Sequence, residues 1–159
     1  MRKLRIYLES SAISHLDAPD VPDKMADTKL FWEDLQAGKY DVYISPVVVN
    51  EIERTSEPKR AFMLEQIKSL DIQLLAESEE AKALGDEYLR QGVLTPKSKD
   101  DCLHIAYAVV YNCDVIISWN FKHMVNYRVI DRVRVVNAIN RYREIAICSP
   151  TMMLKEESE

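Results

Sequence analysis

The amino-acid sequence predicts an α/β fold in which a central parallel sheet of about five short strands lies between helices. Short apolar segments with little polar alternation recur along the chain, as is typical of strands buried on both faces of a parallel sheet. Helical segments separate them, which favours right-handed βαβ units. The 159 residues, 47% hydrophobic and 30% charged, suffice for one domain with its own core, expected over residues 1–154 with an acidic tail at 155–159.

Strands and helices are expected to alternate along the chain, with two helices between the second and third strands and two between the third and fourth. The predicted strands cover residues 4–8, 42–45, 72–75, 115–118 and 145–148. The predicted helices cover residues 25–37, 46–54, 59–69, 78–91, 99–112 and 126–142. Ser45-Pro46 is typical of a helix start, because serine caps the first turn and proline fits the first helical position. Ser98 and Asp101 match the capping-box pattern at the start of another helix.

Composition argues against several classes of protein. The chain has three glycines and no GxGxxG or GxxxxGK[ST] pattern, so the common nucleotide-binding motifs are not expected. Cys102, Cys113 and Cys148 form no CxxC pair, which argues against a zinc site or a redox motif. No apolar stretch approaches the ~20 residues of a membrane span, and the first apolar run is too short for a signal peptide. We therefore expect a cytoplasmic protein with no membrane partner.

Charge is unevenly distributed along the chain. The formal net charge of −5 does not favour a general nucleic-acid-binding protein. Residues 122–143 nevertheless contain six basic residues and one acid, whereas residues 17–37 are acidic. Either segment can be a set of solvated helix faces, or the two can form a basic strip beside an acidic region.

Polar residues are expected at the carboxyl ends of the strands, where open parallel sheets bind ligands. Glu9 follows the first strand, Glu51 lies in the helix after the second, and Asn120 follows the fourth. Asp101 opens a helix that carries His104 on the same face. Carboxylates gathered in one place repel each other unless a cation lies between them, and oxygen ligands suit Mg²⁺ or Mn²⁺. The pattern therefore predicts a metal site that could polarise a phosphoryl group.

Each of these residues also has an ordinary structural explanation. Glu9 can be a solvated turn residue, Asn120 a turn or cap residue, and Glu51 a surface residue of its helix. Asp101 can be the acid of the capping box, and His104 is typical of a core histidine bonded to the backbone. Only a fold that brings the side chains together favours the metal site over these explanations.

Four segments of the sequence carry a resemblance to a known family. They are IYLESSAIS at residues 6–14, SPVVVNEI at 45–52, DCLHIAYA at 101–108 and DVIISWNFKH at 114–123. In this order and spacing they resemble the PIN domain, and within that family the VapC-like toxins of bacterial and archaeal toxin–antitoxin pairs. The resemblance covers nearly the whole chain and implies a PIN-like three-layer α/β/α sandwich.

The resemblance also implies a site and an activity. Glu9, Glu51, Asp101 and Asn120 match the family's catalytic positions, with Glu9, Asp101 and Glu51 as ligands of Mg²⁺ or Mn²⁺. Ser11 matches the small hydroxyl residue that follows and supports the first acid. The implied activity is metal-dependent endoribonuclease cleavage of single-stranded RNA, and the implied partner is an antitoxin protein that neutralises the toxin.

Two positions depart from the family pattern. Glu9 stands where the family usually has Asp, so its carboxylate reaches about 1.5 Å further. Asn120 is neutral where many members carry a charge, which weakens the attraction for a second metal ion. Because a misplacement of this size costs on the order of a hundredfold in rate, we expect the fold to tolerate these changes better than the activity does.

The leading hypothesis is a Mg²⁺- or Mn²⁺-dependent endoribonuclease, the toxin of a type II toxin–antitoxin pair, acting as a homodimer. Lys122, His123 and Arg128 are candidates for binding RNA phosphate. The alternative is a catalytically weak or inactive PIN-like domain that binds RNA or a protein. A small-molecule hydrolase is disfavoured because no DxDxT-like or GxSxG segment occurs.

The acidic helix over residues 25–37 contains several large apolar residues. They are Leu30, Phe31, Trp32 and Leu35. They can belong to a dimer or antitoxin interface, or they can be ordinary core packing.

Overall fold

The computed structural model describes residues 2–155, which form one parallel five-stranded sheet flanked by helices. The strands are β1 (Arg5–Leu8), β2 (Asp41–Ile44), β3 (Ile72–Leu74), β4 (Val115–Ile117) and β5 (Ala146–Cys148). They lie in the order β3-β2-β1-β4-β5, and every neighbouring pair is parallel. The predicted fold class is confirmed. Residues 156–159 of the expected acidic tail lie outside the described residues.

The helices include all six that the sequence predicts, with ends that differ by a few residues. They are α1 (Ser10–Ser14), α2 (Pro22–Gln36), α3 (Pro46–Glu53), α4 (Lys59–Lys68), α5 (Glu79–Arg90), α6 (Lys99–Val110), α7 (Tyr127–Ile139) and α8 (Pro150–Met153). The sequence analysis missed α1 and α8, because helices of four or five residues are too short to show a helical period. Helix α2 begins earlier than predicted, with Pro22 in its first turn.

Strand β1 is at the centre of the sheet, where the strand order changes direction. Tyr7 pairs with Tyr43 of β2 on one side and with Ile116 of β4 on the other. The amide of Glu9 extends the ladder by donating to the carbonyl of Ile117 at 3.0 Å. Ligand crevices of open parallel sheets form at such a switch point, outside the carboxyl ends of the strands. The fold therefore places Glu9 at the position where chemistry is expected.

The hydrophobic core includes the three inner strands, β2, β1 and β4. Ile6, Tyr7 and Leu8 are fully buried, as expected for a strand covered on both faces. Of the apolar residues of α2, three are in this core (Phe31, Trp32 and Leu35), whereas Leu30 is half exposed. Core packing thus explains these three, and the structure leaves little apolar surface on α2 for a partner.

The two predicted helix starts have different outcomes. Ser45 caps α3 as expected, with its Oγ accepting from the Val47 amide at 3.1 Å. Ser98 does not form the expected capping box. A 3₁₀ turn (Pro96–Ser98) leads directly into α6, so Ser98 lacks the extended backbone of a capping residue, and its hydroxyl lies 3.4 Å from His123 Nδ1 instead. Asp101 is consequently not used in a cap.

Asp114 ties the beginnings of β1 and β4 together. Its carboxylate accepts from the Arg5 amide at 2.8 Å and from both terminal nitrogens of Arg2 at 2.7 and 2.8 Å. The hydrogen bonds from Arg2 lower the pKa of Asp114 from 3.8 to about 2. Stability from this carboxylate is therefore present above about pH 3.8 and is lost as the pH falls towards 2.

We expect Asp114→Asn to lower the free energy of unfolding by about 1 kcal/mol at pH 7, a modest value because Arg2 is largely exposed. Urea unfolding of both proteins at pH 7 and at pH 2 measures the effect. The difference should shrink markedly at pH 2, where about half of the wild-type carboxyl is also protonated. A difference that persisted unchanged at pH 2 would contradict the ion pair as its source.

Within the described part of the chain, no helix combines the length and apolar character that crossing a membrane requires.

Candidate metal centre

Glu9 is held in the crevice by hydrogen bonds from two serines. Its carboxylate caps α1, accepting from the Ser11 amide at 3.1 Å, and Oε1 also accepts from the hydroxyls of Ser11 at 2.5 Å and Ser118 at 2.6 Å. Only 6% of the residue is exposed, so Glu9 is not a solvated turn residue. A buried charge needs hydrogen-bond donors of this kind. Ser11, which follows β1, and Ser118, which follows β4, provide them.

Glu51 comes close to Glu9 from α3 and is bonded to a histidine. Its Oε1 accepts from Ser10 Oγ at 2.7 Å and lies 2.5 Å from His104 Nε2. Because α3 starts at Ser45-Pro46, Glu51 lies on the face of α3 that is turned toward α6, where His104 is. Glu51 is therefore not a free surface residue of its helix.

His104 connects the carboxylates to the core through a chain of hydrogen bonds. The imidazole is fully buried, and its Nδ1 lies 2.7 Å from the hydroxyl of Tyr7. That hydroxyl lies 2.7 Å from Ser45 Oγ. The expectation of a core histidine was correct, but its partners are side chains, not the backbone. A chain of four side chains thus runs from the cap of α3 to the carboxylate of Glu51.

Asp101 lies at the start of α6, beside His123. Asp101 Oδ2 lies 3.2 Å from His123 Nδ1, which is also 3.4 Å from the Ser98 hydroxyl. Among the residues that the structure describes, none donates a hydrogen bond to Asp101 Oδ1 or to Glu51 Oε2. Both acids therefore keep one oxygen that could bind a cation.

Burial and mutual charge shift the titration of these groups. Burial raises the pKa of Asp101, and the charge of Glu9 adds to this, although His104 and His123 act in the opposite direction. Burial alone would raise the pKa of Glu51, but the hydrogen bonds from His104 and Ser10 more than offset it and the net shift is downward. Burial disfavours the charged form of His104, yet its bond to Glu51 and the nearby carboxylates raise its pKa. The shift favours the protonated imidazole, whose charge is opposite to that of the neighbouring carboxylates.

The other predicted site residues are less closely associated with the carboxylates. Asn120 Oδ1 accepts from the His123 amide at 2.9 Å, which is the turn role considered for it. The amide of Asn120 donates to Ser118 Oγ, so its segment is nevertheless bonded to a partner of Glu9. Lys122 and Arg128 are exposed. Of the three residues predicted to bind RNA, only His123 contacts one of the predicted acids, Asp101.

The donor atoms suit a divalent cation. Glu9, Glu51 and His104 each offer one ligand atom, and these three atoms lie within 4.8 Å of one another. The two carboxylates suit Mg²⁺ or Mn²⁺, whereas an imidazole nitrogen suits transition metals better than Mg²⁺. Two ionised glutamates this close need positive charge between or beside them, as an imidazolium or as a metal ion. The residues present therefore fit a metal ion.

Comparisons with known proteins bear on the fold. No protein-family model and no curated protein matches the sequence. A solved structure of VapBC2 from Rickettsia felis, bound to a DNA fragment from their promoter, contains a chain that matches with a TM-score of 0.52. The match covers 92% of this chain and 98% of that chain. The fold is PIN-like. At 14% identity the comparison establishes the PIN-like architecture alone.

Three polar residues of this PIN-like crevice were missed in the sequence analysis as site residues. They are Ser10, His104 and Ser118. His104 lies one turn after Asp101 on the same face of α6, a spacing that could have identified it. Ser10 and Ser118 gave no such signal, because serines after strands are common and their partners are remote in sequence.

Proposed function

We propose that this protein is a Mg²⁺- or Mn²⁺-dependent endoribonuclease that acts as the toxin of a type II toxin–antitoxin pair. The observation that supports this most is the convergence of Glu9, Glu51 and His104 at the carboxyl edge of a PIN-like sheet, with ligand atoms within 4.8 Å. Asp101 lies near enough for the charge of Glu9 to raise its pKa. Two of the three predicted acids are thus in the group of close ligand atoms, and Asp101 lies near that group.

In this proposal Glu9, Glu51 and Asp101 would hold the metal ion. When bound, such an ion would polarise a phosphoryl oxygen and make water nucleophilic near neutral pH. Ser11 fixes the direction of the Glu9 carboxylate, and His104 and Ser10 do the same for Glu51. Asn120 would hold the reacting water with its remaining hydrogen-bonding capacity, while Lys122, His123 and Arg128 would bind RNA phosphates.

The partner proposal rests on the structural neighbour. VapBC2 is a complex, so we propose that this chain also binds an antitoxin protein, that it forms a homodimer, and that it acts in the cytoplasm. A neighbouring reading frame for a small DNA-binding protein, whose product co-purifies with this chain, would support the toxin role. A chain that stays free of that product would contradict it.

A second candidate function is a PIN-like domain without catalysis that binds RNA or a protein. It is favoured by the state of Glu9, whose two carboxylate oxygens already accept three hydrogen bonds from Ser11 and Ser118. A metal ion must compete with these donors for the Glu9 oxygens. A domain of this kind would bind RNA but take up no Mn²⁺.

The test is cleavage of labelled single-stranded RNA after removal of metal with EDTA and after addition of Mn²⁺. We expect no cleavage in EDTA, cleavage on addition of Mn²⁺, and heat of Mn²⁺ binding in a calorimetric titration. Duplex RNA and single-stranded DNA serve as controls for the substrate class. Cleavage that persisted in EDTA, or a titration without Mn²⁺ uptake, would overturn the proposed mechanism.

A further inference from the structure

A cluster of aromatic residues stands beside the carboxylates and has no role in holding them. Trp119 is buried and stacks on His15, with ring centroids 5.8 Å apart, while the ring of Phe121 meets Trp119 edge-on at 6.0 Å. Phe121 is 46% exposed, although it lies one residue after Asn120. An aromatic residue that is about half exposed thus adjoins a predicted site residue.

The cluster is built on the same hydrogen bonds that hold the first acid. The Trp119 amide donates to Ser11 Oγ at 2.8 Å, and Ser11 Oγ donates to Glu9. The Trp119 indole donates to the buried Thr28 of α2 at 2.8 Å. The Phe121 amide donates to the Trp119 carbonyl at 3.0 Å, so the backbone that carries the exposed ring is linked to the segment that is bonded to Ser11.

A lysine accompanies the exposed ring. Lys24 Nζ lies 5.0 Å from the ring centroid of Phe121 and 5.6 Å from that of Trp119, within the range of cation–π attraction. Within residues 2–155, no carboxylate lies within 4.0 Å of this ammonium group. The Lys24 ammonium group, which has no anionic partner among the described residues, thus lies beside the partly exposed ring of Phe121.

We propose that Phe121 and Lys24 form a subsite for one nucleotide of single-stranded RNA, next to the phosphodiester that a metal ion at the carboxylates would bind. The inference rests on the proposed ribonuclease function and goes beyond it by naming how the substrate's bases are held. The base stacks on the exposed part of the Phe121 ring, and Lys24 contacts the adjoining phosphate. A nucleotide combines a flat aromatic face with a negative charge, which matches the ring and the ammonium group of this pair.

The subsite has a predictable specificity. Stacking on an aromatic side chain tolerates any base, because every base presents a π face. Purines and pyrimidines should therefore bind alike at this position, whereas an abasic nucleotide should bind more weakly. A paired base is not free to stack here, so the subsite also selects single strands.

The experiment measures binding by fluorescence anisotropy in EDTA, which prevents hydrolysis by removing the divalent metal. A short single-stranded RNA carries one abasic nucleotide, moved through each position in turn. We expect one position at which the abasic change weakens wild-type binding about tenfold, and a similar loss for Phe121→Leu with intact RNA. Combined, the two changes should cost no more than either alone, as for groups in direct contact.

Phe62→Leu is the matched control, because Lys59 Nζ lies 5.7 Å from the Phe62 ring centroid in a similar pair at another place. This variant should bind RNA as the wild type does. Lys24→Met should weaken binding and reduce the salt dependence of the affinity by about one ion. Thermal unfolding of each variant confirms that the comparison is between folded proteins.

The outcomes separate this subsite from the nuclease proposal. Tenfold weaker binding by Phe121→Leu, not additive with the abasic change, supports the subsite even if Mn²⁺ produces no cleavage. Unchanged binding by Phe121→Leu, or additive losses, overturns the subsite even if the wild type cleaves RNA. A wild-type protein that binds no single-stranded RNA also overturns it.

Discussion

Replacement of Asp101 by asparagine is expected to lower Mn²⁺-dependent cleavage of single-stranded RNA by about a hundredfold or more. The amide fills the same volume but removes one of three negative charges from the crevice. It also replaces a carboxylate that has an oxygen with no hydrogen-bond donor among the described residues. Because burial raises the pKa of this carboxyl, a neutral side chain is tolerated by the fold. Single-turnover cleavage of labelled RNA measures the rate, and calorimetry measures Mn²⁺ affinity.

The neighbouring acid provides the control for this variant. Asp100 forms an ion pair with Arg54 at 2.8 Å on the surface, and 43% of its side chain is exposed. Asp100→Asn should leave cleavage nearly unchanged and cost less than about 1 kcal/mol of stability. If Asp101→Asn and the wild type cleaved RNA equally, Asp101 would not take part in catalysis.

Replacement of His104 by leucine is expected to lower the free energy of unfolding by about 3 kcal/mol. Leucine preserves the volume but removes both hydrogen bonds of the buried imidazole, to Glu51 and to Tyr7. The Glu51 carboxylate then keeps only the Ser10 hydroxyl as a donor, so its pKa should rise. Denaturant unfolding gives the loss of stability, and NMR titration of the glutamate side chains gives the change in pKa.

The stability difference between wild type and His104→Leu should depend on pH. The pKa of His104 is raised above its ordinary 6.5, so its contribution is fully present below pH 6.5 and is lost as the pH rises through the folded-state pKa. The pKa of Glu51 is lowered below 4.5, so its contribution is present above pH 4.5 and is lost at lower pH. The difference should therefore be largest between about pH 4.5 and 6.5.

Tyr7→Phe is the control for this second prediction. It removes one hydroxyl from the same chain and leaves the bond between His104 and Glu51 in place, so it should cost about 1 to 2 kcal/mol. The loss of stability caused by Tyr7→Phe should also show no pronounced maximum between pH 4.5 and 6.5. A stability difference for His104→Leu that was independent of pH would show that the charge of the imidazole does not contribute and that its effect comes from uncharged hydrogen bonds and packing.

The layout of the fold was predictable because its signals are local. Ile6, Tyr7 and Leu8 form an unbroken apolar run since both faces of β1 are covered, and Ser45-Pro46 marks the start of α3. The expected capping box at Ser98 failed for a reason outside that motif. A 3₁₀ turn precedes α6 and changes the backbone angles at the capping position, and sequence pattern alone carries no signal for that turn.

The candidate site was only partly predictable. Glu9 directly follows β1, Asp101 lies in the first turn of α6, and Glu51 is in the helix that follows β2, so the parallel topology predicted all three near one edge of the sheet. The partners of these acids depend on rotamers and on contacts between residues about 40 to 110 positions apart, such as Ser118 with Glu9 and Ser10 with Glu51. His104 was assigned to the core, and its side-chain partners became visible only in three dimensions.

The first turn of α1 donates hydrogen bonds to two acids from different parts of the chain. Ser10 donates to Glu51 and Ser11 donates to Glu9, so adjacent hydroxyls on one short helix set the spacing between both carboxylates. Any displacement of that turn must move the two acids together. An inserted or deleted residue between positions 9 and 11 would consequently displace both carboxylates. Loss of one hydroxyl would remove a hydrogen-bond donor from only one of them.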